Sequence, residues 1–164
     1  MVSASDFYQG CKIKVSMTDD VNTSTPNASG QPQVPTPSDK KTVLLIEDDP
    51  FLVKMYKEKF EVEGFNTLIA EDGLKGLQLA TTQNIDIIIL DILIPKLSGI
   101  DLLTKLRKDP KGVSVPVLVL TNLTQKEDEV KTTSMGVKEY LVKSDYTPSQ
   151  VVEKVRMYLG QPHT

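Results

Sequence analysis

Apolar runs alternate with amphipathic stretches along the chain from about Lys41 to Gly160. Short runs of apolar and β-branched residues are typical of buried strands, and apolar residues spaced three or four positions apart are typical of helices. These patterns predict strands at 42–47, 65–70, 86–90, 115–121 and 138–143, each followed by a helix. The sequence therefore predicts five βα units.

Residues that favour helix ends mark where these helices begin and end. The predicted N-caps, in chain order, are Asp49, Asp72, Ser98, Thr124 and Thr147. Thr124 and Glu127 have the Thr-x-x-Glu spacing of a capping box, and a proline follows Asp49 and Thr147 at the first helical position. Gly64 and Gly136 are predicted to end the first and fourth helices, because glycine readily adopts a left-handed conformation.

The strands and the apolar faces of the helices together indicate the fold class. The first helix carries apolar residues at Leu52, Met55, Tyr56, Phe60 and Val62. Near-continuous apolar strands between such amphipathic helices indicate an α/β fold, with a doubly wound parallel sheet covered on both faces. In this class of fold, ligands bind beyond the carboxyl ends of the strands.

Polar residues that can carry chemistry follow four of the predicted strands. Glu47 and Asp48 end the first strand, Asp91 follows the third, Thr121 ends the fourth and Lys143 ends the fifth. The carboxyl ends of parallel strands lie at one edge of the sheet, so we expect these side chains to share one crevice. Clustered carboxylates repel one another unless a cation neutralises them, and an all-oxygen set suits Mg²⁺.

Asp91 is the best-placed candidate for a nucleophile, because a carboxylate can accept a phosphoryl group as an aspartyl phosphate. Mg²⁺ would clamp the transferred group, Lys143 would pair with it and Thr121 would hydrogen-bond it. Taken singly, each residue has a simpler interpretation, such as a helix cap for Asp49 or a solvated side chain for Lys143. Their occurrence together at four strand ends is what favours a phosphoryl site.

Composition and charge narrow the classes of function. The net charge of −3 and the scattered basic residues argue against a nucleic-acid surface. Cys11 is the only cysteine, which excludes an intrachain disulfide and a zinc cluster, and His163 is expected to be a solvated tail residue. No apolar run approaches the roughly 20 residues of a membrane span, and no secretory signal begins the chain, so we expect a cytoplasmic protein.

The N-terminal part differs in composition from the rest. Residues 21–38 are uncharged and rich in Ser, Thr, Asn and Pro, which predicts a disordered linker and a disordered tail over residues 1–40. A short docking segment within residues 1–20 is an open alternative, and so is a translation start at Met17. Residues 161–164 are predicted to be a second tail.

Four sequence blocks resemble the signature blocks of a known family. "VLLIEDDP", "IIILDILIPKLSGIDLL", "PVLVLTN" and "EYLVKS" are similar, in the same order, to those of the receiver domain of two-component response regulators. The resemblance covers residues 41–160 and implies the CheY-like fold, with a five-stranded parallel sheet in the order 2-1-3-4-5.

The resemblance also implies roles for individual residues. Asp91 would be the phosphoacceptor, and Lys143 would pair with the phosphoryl group. The implied Mg²⁺ ligands are Glu47, Asp48, Asp91 and the backbone carbonyl of Leu93. Thr121 and Tyr140 would be the switch residues that respond to phosphorylation.

This chain departs from the family pattern at several positions. Asn122 stands where the family has a small residue, Ser144 where it has a proline after a cis peptide bond, and Ser98 where it has an acidic residue. Leu93 and Leu123 stand two residues after Asp91 and Thr121, at positions that in the family influence the access of water. Two leucines there predict a shielded, slowly hydrolysed phosphoaspartate.

The implied function is that of a stand-alone receiver, which is a signalling phosphoacceptor rather than an enzyme with turnover. A sensor histidine kinase or a phosphotransfer protein would be its donor, and the face formed by helix four, strand five and helix five would bind an unknown downstream protein or form a weak homodimer. No direct DNA binding and no membrane insertion are expected. One alternative is a degenerate receiver that binds partners without phosphorylation, and another is an aspartyl-nucleophile phosphatase, which Leu93 disfavours.

Overall fold

The computed structural model describes residues 40–161. The predictions of a disordered tail over 1–40 and of a start at Met17, and the interpretations of Cys11 and His163, therefore fall almost entirely outside the described residues.

Five strands and five helices alternate along the described chain. The strands are β1 (Thr42–Ile46), β2 (Asn66–Ala70), β3 (Ile87–Leu90), β4 (Val117–Thr121) and β5 (Glu139–Val142). The helices are α1 (Pro50–Val62), α2 (Gly73–Thr82), α3 (Gly99–Leu106), α4 (Lys126–Ser134) and α5 (Pro148–Tyr158), and a 3₁₀ turn covers Lys143–Asp145. Among residues 40–161, no helix is both long enough and apolar enough to cross a membrane.

The strands form one parallel sheet in the order β2-β1-β3-β4-β5, which confirms the predicted fold and strand order. β3 lies at the centre, and all four of its residues are buried. The register places Ile46 of β1 beside Leu90 of β3. The residues that follow these two strands therefore leave the sheet side by side.

Two apolar cores cover the two faces of the sheet. On one face α1 and α5 contribute Tyr56, Phe60, Val151, Val152 and Val155 to the core. On the other face, α2 and α3 contribute Ala80, Leu102, Leu103 and Leu106. Alternate residues of each strand point into different cores, as the pleat of a strand requires.

The sequence pattern placed Val62 among the apolar residues of the first helix, but Val62 does not lie on the buried face of α1. Its side chain is 82% exposed, whereas Phe60 is fully buried. Two helical positions correspond to a rotation of about 200°, so a residue two positions after Phe60 must point away from the core.

The structure confirms four of the five predicted N-caps. The Asp49 carboxylate accepts hydrogen bonds from the amides of Phe51 and Leu52, and Asp72 and Ser98 accept from residues three positions on. Thr147 forms a complete capping box with Gln150. Gly64 and Gly136 follow the caps of α1 and α4 with φ angles of 88° and 76°, which confirms them as helix-ending residues.

The capping box predicted for Thr124 and Glu127 is wrong. α4 begins at Lys126, and its cap residue Gln125 makes no side-chain hydrogen bond. The Tyr140 hydroxyl donates to the carbonyl of Leu123, which ties the preceding segment to β5. The carbonyl of Gln125 is the first helical acceptor, bound by the amide of Glu129 at 3.3 Å, so the helix starts one residue later than the pattern predicts.

Candidate functional site

The polar residues at the strand ends meet at one edge of the sheet, as the sequence predicts. The amide of Asp91 donates to the carbonyl of Ile46 at 3.0 Å, which sets Asp91 beside the start of the Glu47–Asp48 pair. Glu47, Asp91 and Thr121 are buried, whereas Asp48 is exposed. Lys143 begins the turn after β5 rather than ending the strand itself.

Lys143 joins the two buried acids. Its Nζ lies 2.5 Å from Asp91 Oδ2 and 2.6 Å from Glu47 Oε2. All three side chains are at most 9% exposed. Buried charges are tolerated only when they are paired, so this lysine is what allows two carboxylates to lie together inside the protein.

Backbone amides bind the other carboxylate oxygens. Asp91 Oδ1 accepts from the amide of Leu93 at 3.0 Å, and Glu47 Oε1 accepts from the amide of Asp49 at 3.3 Å. The contact with Leu93 fixes the backbone of the β3–α3 loop next to the acids.

Burial and ion pairing shift the pKa values of Glu47 and Lys143 in opposite directions. Burial raises the pKa of Glu47 above its usual range, although Lys143 acts to lower it. Burial alone would lower the pKa of Lys143, but its hydrogen bonds to Asp91 and Glu47 outweigh burial and leave the pKa raised. The lysine is therefore a permanent cation of the site at neutral pH.

The residues present fit a hard divalent cation. Carboxylate oxygens of Glu47, Asp48 and Asp91 lie within 4.8 Å of one another. Three carboxylates and the one ammonium of Lys143 leave a formal excess of two negative charges, which a divalent ion would balance. The donor set is entirely oxygen, as Mg²⁺ prefers. The three acids and the carbonyl of Leu93 would hold it.

Thr121 and Tyr140 both hydrogen-bond the backbone of Leu123, in the β4–α4 loop. The Thr121 hydroxyl accepts from the amide of Leu123 at 3.4 Å, and the Tyr140 hydroxyl donates to the Leu123 carbonyl at 3.1 Å. Thr121 is fully buried and Tyr140 is half-buried against the core on the α2–α3 face. The two predicted switch residues thus hold one peptide segment between them.

The structure shows the surroundings of the residues that depart from the family pattern. The side chain of Asn122 is exposed, and the peptide bond between Lys143 and Ser144 is trans. Leu93 is 59% exposed and Leu123 is half-buried. Slow hydrolysis stays a prediction.

A strained turn that no local sequence pattern indicates lies in the loop between Asp91 and α3. Lys96, in the β3–α3 loop, has φ of 66°, a left-handed conformation that costs a non-glycine residue about 1–2 kcal/mol. Its ammonium lies 2.6 Å from Asp72 Oδ2, and the amide of Gly73 donates to Pro95. A Cβ at Gly73 would lie 1.9 Å from the carbonyl oxygen of Leu97, so only glycine allows this approach.

Tyr56 is a second residue whose setting the sequence did not reveal. It packs in the core as expected, but burial raises the pKa of its hydroxyl, on which the charges of Lys143 and Glu47 also act. Its apolar helical spacing gave no sign of this proximity to the charged site.

Comparison with known proteins identifies the family. The model of the response regulator receiver domain matches residues 43–156. The chain therefore belongs to the response regulator receiver domain family, and the resemblance of its sequence blocks is confirmed.

Individual relatives agree with this assignment. Over 121 residues the chain is 36% identical to the transcriptional regulatory protein CpxR of Escherichia coli K12, covering 74% of this chain and 50% of CpxR. It is 30% identical over 120 residues to the polar-differentiation response regulator DivK of Brucella ovis, covering 73% of this chain and 97% of DivK. The chain thus spans about half of the length of CpxR and nearly all of DivK.

A solved structure gives the same result for the fold. The receiver domain of the Francisella response regulator 1452 superposes with a TM-score of 0.68 and 32% identity, covering 74% of this chain and 98% of that domain.

Proposed function

We propose that this receiver domain accepts a phosphoryl group on Asp91 from a sensor histidine kinase or a histidine phosphotransfer protein. The observation that carries the proposal is the setting of Asp91. Its carboxylate is buried beside Glu47, within reach of Asp48, and 2.5 Å from the ammonium of Lys143. An isolated structural acid would need no second and third acid around it.

The residues divide the chemistry among them. A carboxylate oxygen of Asp91 forms the new P–O bond, while the P–N bond of a phosphohistidine donor breaks and its electron pair returns to the imidazole. Mg²⁺, when held by the three acids and the Leu93 carbonyl, would neutralise charge on the phosphoryl oxygens. Lys143 exchanges its contact with the carboxylate for one with the phosphoryl group, and the Thr121 hydroxyl donates to that group.

The same step supplies the signal. The phosphoryl group adds about −1.5 to −2 charges at neutral pH. When the Thr121 hydroxyl turns towards it, the amide of Leu123 loses the oxygen that accepts its hydrogen bond. The β4–α4 loop and Tyr140 then rearrange, and the surface of α4, β5 and α5 changes for a downstream protein. In this proposal the domain acts as a signalling switch and not as an enzyme with turnover.

Intact-mass spectrometry after incubation with acetyl phosphate and Mg²⁺ tests the proposal. We expect one phosphoryl adduct on the wild-type chain, and none on Asp91→Asn or in the presence of EDTA. Asp101→Asn is the matched control, because Asp101 lies at the start of α3 outside the acid cluster. It should be labelled like the wild type.

Two outcomes contradict the proposal. An adduct that persists in Asp91→Asn would place the acceptor elsewhere. A folded wild-type chain that binds Mg²⁺ but takes no phosphoryl group from acetyl phosphate or from phosphoramidate would favour a binding module that works without phosphorylation.

A further inference from the structure

The two ends of α4 are held very differently. Within the helix only Thr132, near the C-terminal end, is buried, and its hydroxyl donates back to the carbonyl of Asp128. The first turn has no side-chain cap and carries three acidic residues, Glu127, Asp128 and Glu129. The N-terminal half of α4 thus has few contacts that fix its position.

Arg107 binds the C-terminal end of α4. Its Nε donates to the carbonyl of Met135 at 2.9 Å, and its Nη2 donates to the carbonyl of Gly136 at 3.2 Å. Met135 caps α4 and Gly136 is the left-handed residue that follows. Carbonyls at a helix C-terminus lack partners within the helix and form the negative end of its dipole, so a guanidinium stabilises them.

The same side chain also holds the loop that leads into β4. Arg107 Nη1 donates to the carbonyls of Gly112 and Val115, both at 2.9 Å. Arg107 itself caps the C-terminal end of α3. One planar group with several fixed donors therefore connects α3, the α3–β4 loop and the end of α4, which a lysine could not do with one ammonium.

We propose that Arg107 is a positioning residue that fixes the C-terminal end of α4, so that phosphorylation moves only the N-terminal half of this helix and the loop before it. The helix would swing about Met135 and Gly136. This inference rests on the proposed function, since it concerns how the response to Asp91 is directed. The anchoring of the C-terminal end of α4 by Arg107 belongs to the unphosphorylated protein and does not depend on phosphorylation.

Amide hydrogen exchange, resolved by residue with NMR, tests the claim on the unphosphorylated chain. In Arg107→Gln we expect the amides of Gly136 and Val137 to exchange at least about tenfold faster than in the wild type, because their turn loses its anchor. Amides of α5 should exchange at unchanged rates. Arg107→Lys should give an intermediate rate, since it keeps the positive charge and loses the several fixed donors of the guanidinium group.

Arg156→Gln is the matched control. Arg156 is also a partly buried arginine, but its guanidinium binds the carbonyl and carboxylate of Glu63 at the end of α1. Its loss should leave the amides of Gly136 and Val137 unchanged. Equal rates in Arg107→Gln and the wild type, or equal acceleration by both substitutions, would overturn the anchoring role.

Phosphorylation of the wild-type chain tests the swing of α4, and this part of the test does not depend on the folding of a variant. After phosphorylation with acetyl phosphate, verified by intact mass, amide chemical shifts should change across 121–131 and stay nearly constant across 132–137. In Arg107→Gln the changes should extend into 132–137. Changes of equal size at both ends of α4 in the wild type would overturn the pivot. Absence of the adduct would count against the proposed function instead, and the exchange rates would still decide the anchor.

Discussion

The two successive helices α3 and α4 cover the same face of the sheet, but they are held to it in different ways. α3 has eight residues, and its buried residues are Gly99, Leu102, Leu103 and Leu106. α4 has nine residues, and Thr132 alone is buried. The Ser98 side chain caps α3, whereas Gln125 gives α4 no side-chain hydrogen bond.

In the proposed function, this difference separates the place where Asp91 would be phosphorylated from the place where the response would be read. The strand and loop before α3 carry Asp91, which must keep its distance to Lys143 and to the other acids. The strand and loop before α4 carry Thr121, whose neighbours must be able to move. Regions that switch are drawn from the less stable parts of a fold. The three buried leucines of α3, which have no counterpart in α4, thus hold α3 more firmly to the sheet than α4.

The largest contrast should appear when one apolar side chain is truncated in each helix. Leu103 is fully buried, so Leu103→Ala should lower the free energy of unfolding by about 2–5 kcal/mol. Val130 in α4 is 69% exposed, so Val130→Ala should change it by less than about 0.5 kcal/mol. Urea denaturation measures both values. Similar losses from the two substitutions would remove the basis of the comparison.

The caps should differ in the same direction by a smaller amount. Ser98→Ala removes an acceptor for the amide of Asp101 and should cost about 1 kcal/mol. Gln125→Ala removes no capping bond and should be nearly neutral, whereas Gln125→Asp should stabilise the start of α4. Urea denaturation gives these differences as well. A cost for Gln125→Ala as large as that for Ser98→Ala would show that α4 is capped after all.

A single hydroxyl tests how the loop before α4 is held. Tyr140→Phe removes the bond to the Leu123 carbonyl, which should be worth about 0.5–1.5 kcal/mol. Most of this loss should appear locally, as faster exchange of the amides at 123–126. Amides of α3 are the internal reference and should not respond. An unchanged loop would mean that Tyr140 does not restrain it in solution.

The smallest effect concerns the opposite face of the sheet, where α1 and α5 are joined by an ion pair. The side chains of Lys59 and Arg156 hydrogen-bond Glu63 and hold the pKa of its carboxyl below the usual range. A lowered pKa stabilises the fold above the unfolded-state value of about 4.3, and the contribution is lost as the pH falls through the folded-state value.

Glu63→Gln should therefore be less stable than the wild type at neutral pH, by under about 1 kcal/mol because the pair is partly exposed. The difference should shrink as the pH is lowered from about 5 to about 3. Urea denaturation at these pH values measures it. A difference that stays constant with pH would mean that the carboxylate charge does not contribute.

The sequence predicted what depends on local pattern and on strand direction. Asp49, Asp72 and Ser98 cap helices through residues two or three positions away, which the chain order already specifies. Glu47, Asp91 and Lys143 meet because a parallel sheet brings its carboxyl ends together, and that follows from alternating strands and helices.

What the sequence did not predict depends on contacts between distant segments. The loop before α4 is tied to β5 by a bond from Tyr140 to the backbone carbonyl of Leu123, and a carbonyl has no sequence signature. The same holds for Arg107, whose partners are all carbonyl groups. The pairing of Lys96 with Asp72 joins residues 24 positions apart. Local rules cannot reveal such pairs.

The most direct test of the account compares two adjacent aspartates. Asp48 belongs to the acid cluster, and Asp49 caps α1. Asparagine is also a good N-cap, so Asp49→Asn should keep the helix while it removes the same charge from the next position. The measurement is phosphoryl incorporation on Asp91 from acetyl phosphate over a Mg²⁺ titration. The account predicts that Asp48→Asn abolishes the Mg²⁺-dependent incorporation and that Asp49→Asn retains it. Equal incorporation in the two variants would contradict a metal site built from Glu47, Asp48 and Asp91.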